Sequence, residues 1–176
     1  MKTHSFYASG EWQDSSKTFD NINPATNKAF ARVCLPTESQ IDAAVVAAAQ
    51  ASKVWGRTGP SERESLLNRV ADILERRRTE IISSLIEESG CVFGTAWYQV
   101  DYSISSLRSA AGEARRMLGE TIPSDTPGLL SITKRIPLGV IVGIAPFNVP
   151  LALSSNKIDK AIAAGNGFIL KPSEHT

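Results

Sequence analysis

The feature that most constrains this chain is the continuous apolar run Leu138–Ile144, followed by Pro146 and Pro150, a helical stretch over Leu151–Ala164 and a second apolar run at Phe168–Leu170. An unalternated Val/Ile run bounded by breakers predicts a strand buried on both faces of a parallel sheet. Leu153, Ile158 and Ile162 lie inside the intervening helix, and Gly165-Asn166 is placed to end it. A strand, a crossover helix and a second strand in one sheet almost always make a right-handed parallel unit. Both strands then end at the same edge, and ligands of open parallel sheets bind beyond the carboxyl ends of the strands. Ala145–Pro150 and Lys171–Thr176 are therefore expected to face one crevice, with Asn148, Lys171, Ser173 and Glu174 as its candidate polar residues.

Upstream, aromatic and branched residues at Phe6–Trp12 and Ala29–Cys34 flank the turn-forming Asn23-Pro24-Ala25-Thr26, which predicts short strands. Thr37 and Gln40 form a capping-box pattern ahead of a helix over about Glu38–Val54. A second capping box, Ser61 with Glu64, is expected to open the next helix behind Pro60. A shorter helix is expected from Thr79 to Gly90, with Gly90 as a left-handed cap, and a long one from Thr95 to about Leu118-Gly119. Pro123, Pro127, Gly128 and Pro137 exclude a helix interior, so the chain between Gly119 and Pro137 reads as an extended excursion or edge strand.

Composition excludes several functions. The 176 residues, 42% apolar, can bury a sizeable core. With 19 Lys plus Arg against 18 Asp plus Glu, the formal charge is +1, and no concentrated basic face offers itself to nucleic acid. No apolar stretch approaches the ~20 residues of a spanning helix, so no membrane segment is expected. Cys34 and Cys91 have neither a disulfide framework nor metal spacing. A reduced, cytoplasmic setting follows, with both read as ordinary thiols.

Taken alone, an Asn between two prolines is more often a turn residue than a catalytic donor, and a single lysine is most often a surface group. Gly165-Asn166-Gly167 precedes a strand and lacks a third glycine, so it is not a phosphate loop. His4 and His175 have no partners at motif spacing and are expected to be solvated.

The stretch Arg135–Pro150, the following Lys157-Ile158 and the stretch Ala163–Glu174 together resemble the aldehyde dehydrogenase superfamily, and the likeness extends back through Glu88-Ser89-Gly90, Trp55 and Asn23–Thr26. The resemblance implies an α/β fold: the amino-terminal part of a Rossmann-type cofactor domain with a parallel βαβ unit, plus an extended association segment. Residues 1–118 would be the amino-terminal strands and helices of that domain, 119–137 the oligomerisation segment and 138–176 its first βαβ unit. It further implies oxidation of a small-molecule aldehyde to a carboxylic acid with NAD, NADP being possible, by a homo-oligomer. In that chemistry a cysteine thiolate forms a thiohemiacetal, hydride passes to the nicotinamide, and a base activates water to release the acid.

Residue by residue, Asn148 matches the asparagine whose amide stabilises the oxyanion formed on thiolate attack. An uncharged N–H suits that task because it does not itself titrate. Lys171 and Glu174 match residues that bond the adenosine ribose, with Ser173 between them, and Ile144, Ala145, Pro146 and Phe147 match the segment lining the cofactor cleft. Phe147 stands where many members have Trp, and Cys91 where many have Lys. The family's nucleophilic cysteine, general-base glutamate and Gly-Ser-Thr turn are expected farther along than Thr176, so the 176 residues alone are expected to be inactive. The alternative is a non-catalytic fragment that binds subunits or a nucleotide. An ordinary Rossmann dehydrogenase is disfavoured by the missing glycine-rich turn after the first buried strand.

Overall fold

Short strands come first, where branched and aromatic residues alternate with turn formers. In the computed structural model, which describes residues 1–176, these are β1 (Lys2–His4), β2 (Phe6–Ala8), β3 (Glu11–Gln13), β4 (Thr18–Asn23) and β5 (Lys28–Cys34). β5 lies between a parallel β1 and an antiparallel β4, while β2 and β3 form a separate hairpin. In the Asn23–Thr26 turn the Asn23 side chain accepts from the backbone N–H groups of Ala25 and Thr26 at 2.9 and 3.2 Å, an Asx turn.

Four helices follow: α1 (Glu38–Trp55), α2 (Pro60–Arg76), α3 (Arg78–Ser89) and α4 (Phe93–Ala114). The first capping box forms as expected. The Gln40 N–H donates to Thr37 Oγ1 at 3.3 Å and the Thr37 N–H donates to Gln40 Oε1 at 2.9 Å. The second does not form. Gly59 is the cap and Pro60 the first helical residue, so Ser61 already lies inside the first turn; the fixed φ of proline sets the start. Gly90 ends α3 at φ 65°, and a Cβ there would lie 2.6 Å from Pro24 Cγ. Only glycine lets the Asn23–Thr26 turn pack on the end of this helix.

α4 is the central helix of the core. Ala96, Val100, Ile104, Leu107, Ala111 and Ala114 recur at helical spacing and are buried against Leu67 and Ala71 of α2 and Ile82 and Leu85 of α3. The helix stops at Ala114, not near Leu118, because the buried stripe stops there. Leu118 is 72% exposed, and a helix gains its stability from the face it buries. Beyond it, residues 119–137 form the expected extended excursion, tied by the two-residue strands β6 (Thr121–Ile122) and β7 (Ser131–Ile132).

The chain closes with β8 (Val140–Ile144), α5 (Pro150–Ala163) and β9 (Gly167–Lys171), with β8 and β9 parallel from Val140↔Gly167 to Ile144↔Lys171. A Cβ on Gly143 would meet Phe168 and Lys157 of α5, whereas one on Gly167 would meet Ala48 and Ser52 of α1. Gly143 is paired with Leu170, three residues from Gly167, so these contacts lie on opposite faces and the two helices sandwich the pair. The expectation that Leu138–Ile144 is buried on both faces needs correction. Val142 is 61% and Ile144 69% exposed, because α1 covers its face only toward the amino ends of the strands.

Two buried polar side chains lock this unit. Asn166 accepts from the Gly139 N–H at 3.0 Å and donates to Ala161 O at 3.2 Å, joining the start of β8 to the end of α5. Arg63 donates to Ala163 O, Gly56 O and Thr58 O at 3.3, 3.0 and 3.1 Å. A cation is favoured at helix carboxyl termini, and here one serves both α1 and α5.

Candidate active site

The carboxyl ends of β8 and β9 bring the two expected loops together. The Ala145 N–H continues the ladder by donating to Lys171 O at 3.0 Å, after which Pro146 interrupts it. Phe147 turns its ring edge-on to His175, with centroids 6.0 Å apart and planes at 90°. His175 is thus exposed but not free of contacts. Lys171 Nζ donates to Glu174 Oε2 at 3.0 Å. This hydrogen bond from the ammonium is the main reason that the Glu174 carboxyl sits below its ordinary range. Ser173 Oγ accepts from the His175 N–H at 3.0 Å, which folds the loop.

Ile144, Pro146, Phe147, Asn148, Lys171 and Glu174 are exposed, Ser173 is half-buried and Ala145 is buried. Together they form an open shelf along one sheet edge. Asn148 stands between the end of the strand and the start of α5, and no hydrogen bond within the chain engages its side chain. Asn148 lies within a bend, yet an Asx turn is not open to it. An Asx turn would take the N–H two residues on, and that residue is Pro150, which has none.

Three residues that shape the shelf escaped the sequence reading. Gly143 is one, since a Cβ there would come within 2.4 Å of Phe168 Cζ; a glycine inside a Val/Ile run is the usual mark of such a close approach. Lys157 is another, folded back to donate to Leu153 O at 3.2 Å with its stem against Gly143. The third is Gln99 of α4, whose Oε1 accepts from the Leu151 N–H at 3.2 Å. No motif spacing marks a single glutamine on a helix.

The remaining polar features lie elsewhere. A small groove between the carboxyl ends of α4 and α5, lined by Ser106, Ser109, Met117 and Lys160, is away from the shelf, and Lys160 Nζ is already engaged by Ser106, Asn156 and Asp159. Cys34 is buried beside Asp14, and Cys91 lies at the α3–α4 joint with its thiol toward Leu85 O. No helix is long and apolar enough to cross a membrane.

Comparison with known proteins agrees with this arrangement. Residues 12–176 match the model of the aldehyde dehydrogenase family. A vanillin dehydrogenase from Pseudomonas fluorescens is 39% identical over 158 residues, which is 90% of this chain and 33% of that protein. The crystal structure of aldehyde dehydrogenase 21 from Physcomitrella patens, in complex with the reaction product succinate, superposes with a TM-score of 0.96 at 34% identity, covering 99% of this chain and 37% of that one. A NAD-dependent benzaldehyde dehydrogenase from Corynebacterium glutamicum gives a TM-score of 0.92 at 33% identity, over 96% of this chain and 37% of that one. The chain spans about a third of the length of the curated relatives it matches. With the strand–helix–strand unit, the paired loops and a family match that runs from Trp12 to the last residue, this chain belongs to the aldehyde dehydrogenase family.

Proposed function

We propose that the shelf is the oxyanion-binding and cofactor-facing part of an enzyme that oxidises an aldehyde to a carboxylic acid with NAD, NADP being the other dinucleotide it could accept. The observation that carries this reading is Asn148: an unengaged amide donor at the strand ends, beside the Lys171–Glu174 pair. The surroundings suit an amphipathic dinucleotide. Val142 and Ile144 leave apolar surface uncovered beyond α1, and Lys171, Ser173 and Glu174 offer donors and acceptors for ribose hydroxyls. Ile144, Ala145, Pro146 and Phe147 would form the wall of the cleft. The bound dinucleotide supplies the hydride acceptor. Asn148 supplies an N–H to the substrate oxygen as negative charge grows on it, without taking or giving a proton.

Both thiols are engaged away from the shelf, so the 176 residues by themselves are expected to oxidise no aldehyde. Cofactor reduction above background that alkylation of Cys34 or Cys91 abolishes would contradict this. The extended segment 119–137 is proposed as the surface through which subunits associate, since Leu129, Leu130 and Ile132 are 60%, 69% and 63% exposed.

The test of the main reading is Asn148→Ala in the complete enzyme. Loss of one oxyanion donor lowers turnover by about 10² to 10³ while leaving the cofactor Michaelis constant near its original value. Turnover equal to that of the unmodified protein would remove Asn148 from the mechanism.

A further inference from the structure

We infer that Gln99 is a positioning residue for Asn148, acting as the amino-terminal cap that α5 lacks in its own sequence. This rests on Asn148 being the oxyanion donor. The first backbone N–H groups of a helix have no partner inside it, and a polar side chain at the cap normally accepts from one of them. The cap residue of α5 is Val149, which has no acceptor, and Pro150 follows it. The first N–H in need of a partner is therefore that of Leu151, and Gln99 Oε1, from the neighbouring helix, accepts from it at 3.2 Å.

Gln99 is completely buried among the apolar residues of α4. Its Nε2 is also buried and has no acceptor. A buried amide left half-satisfied weakens packing relative to an apolar side chain of the same shape. Stability of α4 therefore gives little reason for this residue, while the geometry of the shelf gives one. Between Pro146 and Pro150 no backbone N–H finds an acceptor within the chain. Within the segment carrying Asn148 the Val149 carbonyl accepts from the Leu153 N–H at 3.1 Å and the Phe147 ring meets His175, while the donated hydrogen bonds that fix it lie at its two ends. One end is the Ala145 N–H on Lys171 O at 3.0 Å, and the other is the Leu151 N–H on Gln99. Farther along, Asn156 donates to the Tyr102 hydroxyl at 2.9 Å and Ser106 to Asp159 at 2.5 Å. Those contacts keep α4 beside α5 when Gln99 is replaced, so the substitution acts on the first turn of α5 and on the donor that precedes it.

The test is a double-mutant cycle in the complete enzyme, with turnover and both Michaelis constants measured for Gln99→Met, Gln99→Glu, Asn148→Ala and the pair Gln99→Met with Asn148→Ala. An ångström-scale displacement of a catalytic group can cost up to about 100-fold, so Gln99→Met is expected to lower turnover by about 10- to 100-fold at an unchanged cofactor Michaelis constant. At this fully buried position desolvation favours the neutral acid of Gln99→Glu, which matches glutamine in shape and keeps the carbonyl acceptor for Leu151, so it is expected to stay within about threefold of the original rate. In the double variant the loss should equal that of Asn148→Ala alone, because one residue acts through the other. Additive losses, or Gln99→Glu as slow as Gln99→Met, overturn the positioning role while leaving Asn148 in place. An Asn148→Ala variant with full turnover overturns the oxyanion reading and this inference with it. Should Gln99→Met fail to fold, Gln99→Asn withdraws the carbonyl by one methylene and is judged by the same additivity.

Discussion

If the shelf faces a dinucleotide as proposed, two of its neighbouring side chains, Lys171 and Glu174, bear on which one it takes. Their ion pair at 3.0 Å leaves that edge near neutrality, but the ammonium also keeps the Glu174 carboxyl ionised to lower pH than usual. A carboxylate beside the ribose can accept from its hydroxyls and repels a 2′-phosphate in their place. Glu174→Gln in the complete enzyme is therefore expected to raise kcat/KM for NADP relative to NAD. The original preference for NAD should persist as pH falls through the ordinary carboxylate range and fade only below it, since the charge is lost last at a lowered pKa. An original preference for NADP, or no gain for NADP on removing the charge, would exclude Glu174 as the discriminator.

At the scale of elements, the two capping boxes separate what a pattern can and cannot say. Thr37 caps α1 from outside the helix, whereas Ser61 sits inside α2 behind Pro60. Thr37→Ala is expected to cost about 1 kcal/mol of unfolding free energy, and Ser61→Ala less than about 0.5 kcal/mol. Equal effects in chemical denaturation would mean that the assignment of caps is wrong. The Ser-x-x-Glu pattern misled because proline at the first helical position overrides the hydroxyl, a matter of backbone φ and not of side-chain spacing. α4 was overextended for a different reason. Met117 and Leu118 continue an apolar period in sequence, yet Leu118 is left largely exposed. By contrast β8, α5 and β9 were legible almost to the residue, since breakers bound each of them. That the two loops meet at one sheet edge was legible from topology alone. Gln99 and the role of Lys157 were not, because they arise from contacts between elements, whereas Gly143 did carry a signal as a glycine inside a Val/Ile run.

Over the whole molecule, the layer of β1, β5 and β4 meets the helices where Asn21 donates to Glu88 at 2.7 Å. Burial raises the Glu88 carboxyl above its ordinary range, opposed in part by that amide and by His4. A raised carboxyl binds its proton more tightly in the folded state, so stability is expected to fall as pH rises from the ordinary carboxylate range through the raised value. Glu88→Gln keeps the acceptor for Asn21 and removes the titration. The difference between the two stability profiles, measured by denaturant unfolding across about pH 4 to 8, should therefore change through that window and level off above it. Parallel profiles would show that Glu88 titrates alike in both states. Glu75 and Glu80, lowered by their hydrogen bonds to Arg78 and Arg77, are common to both proteins and cancel from the comparison.

The junction that orients α5 differs in kind from the exposed ion pairs around it. Arg63 is buried and its charge is met by the neutral carbonyls of Gly56, Thr58 and Ala163. Dissolved ions screen charges they can approach, and at about 1 M salt the screening length contracts to roughly 3 Å. Under those conditions pairs such as Arg77 with Glu80, both largely exposed, lose most of their attraction. The carbonyl cage around Arg63 excludes the ions and keeps its geometry. The axis of α5, and with it the direction in which the shelf faces, is thereby decoupled from ionic strength.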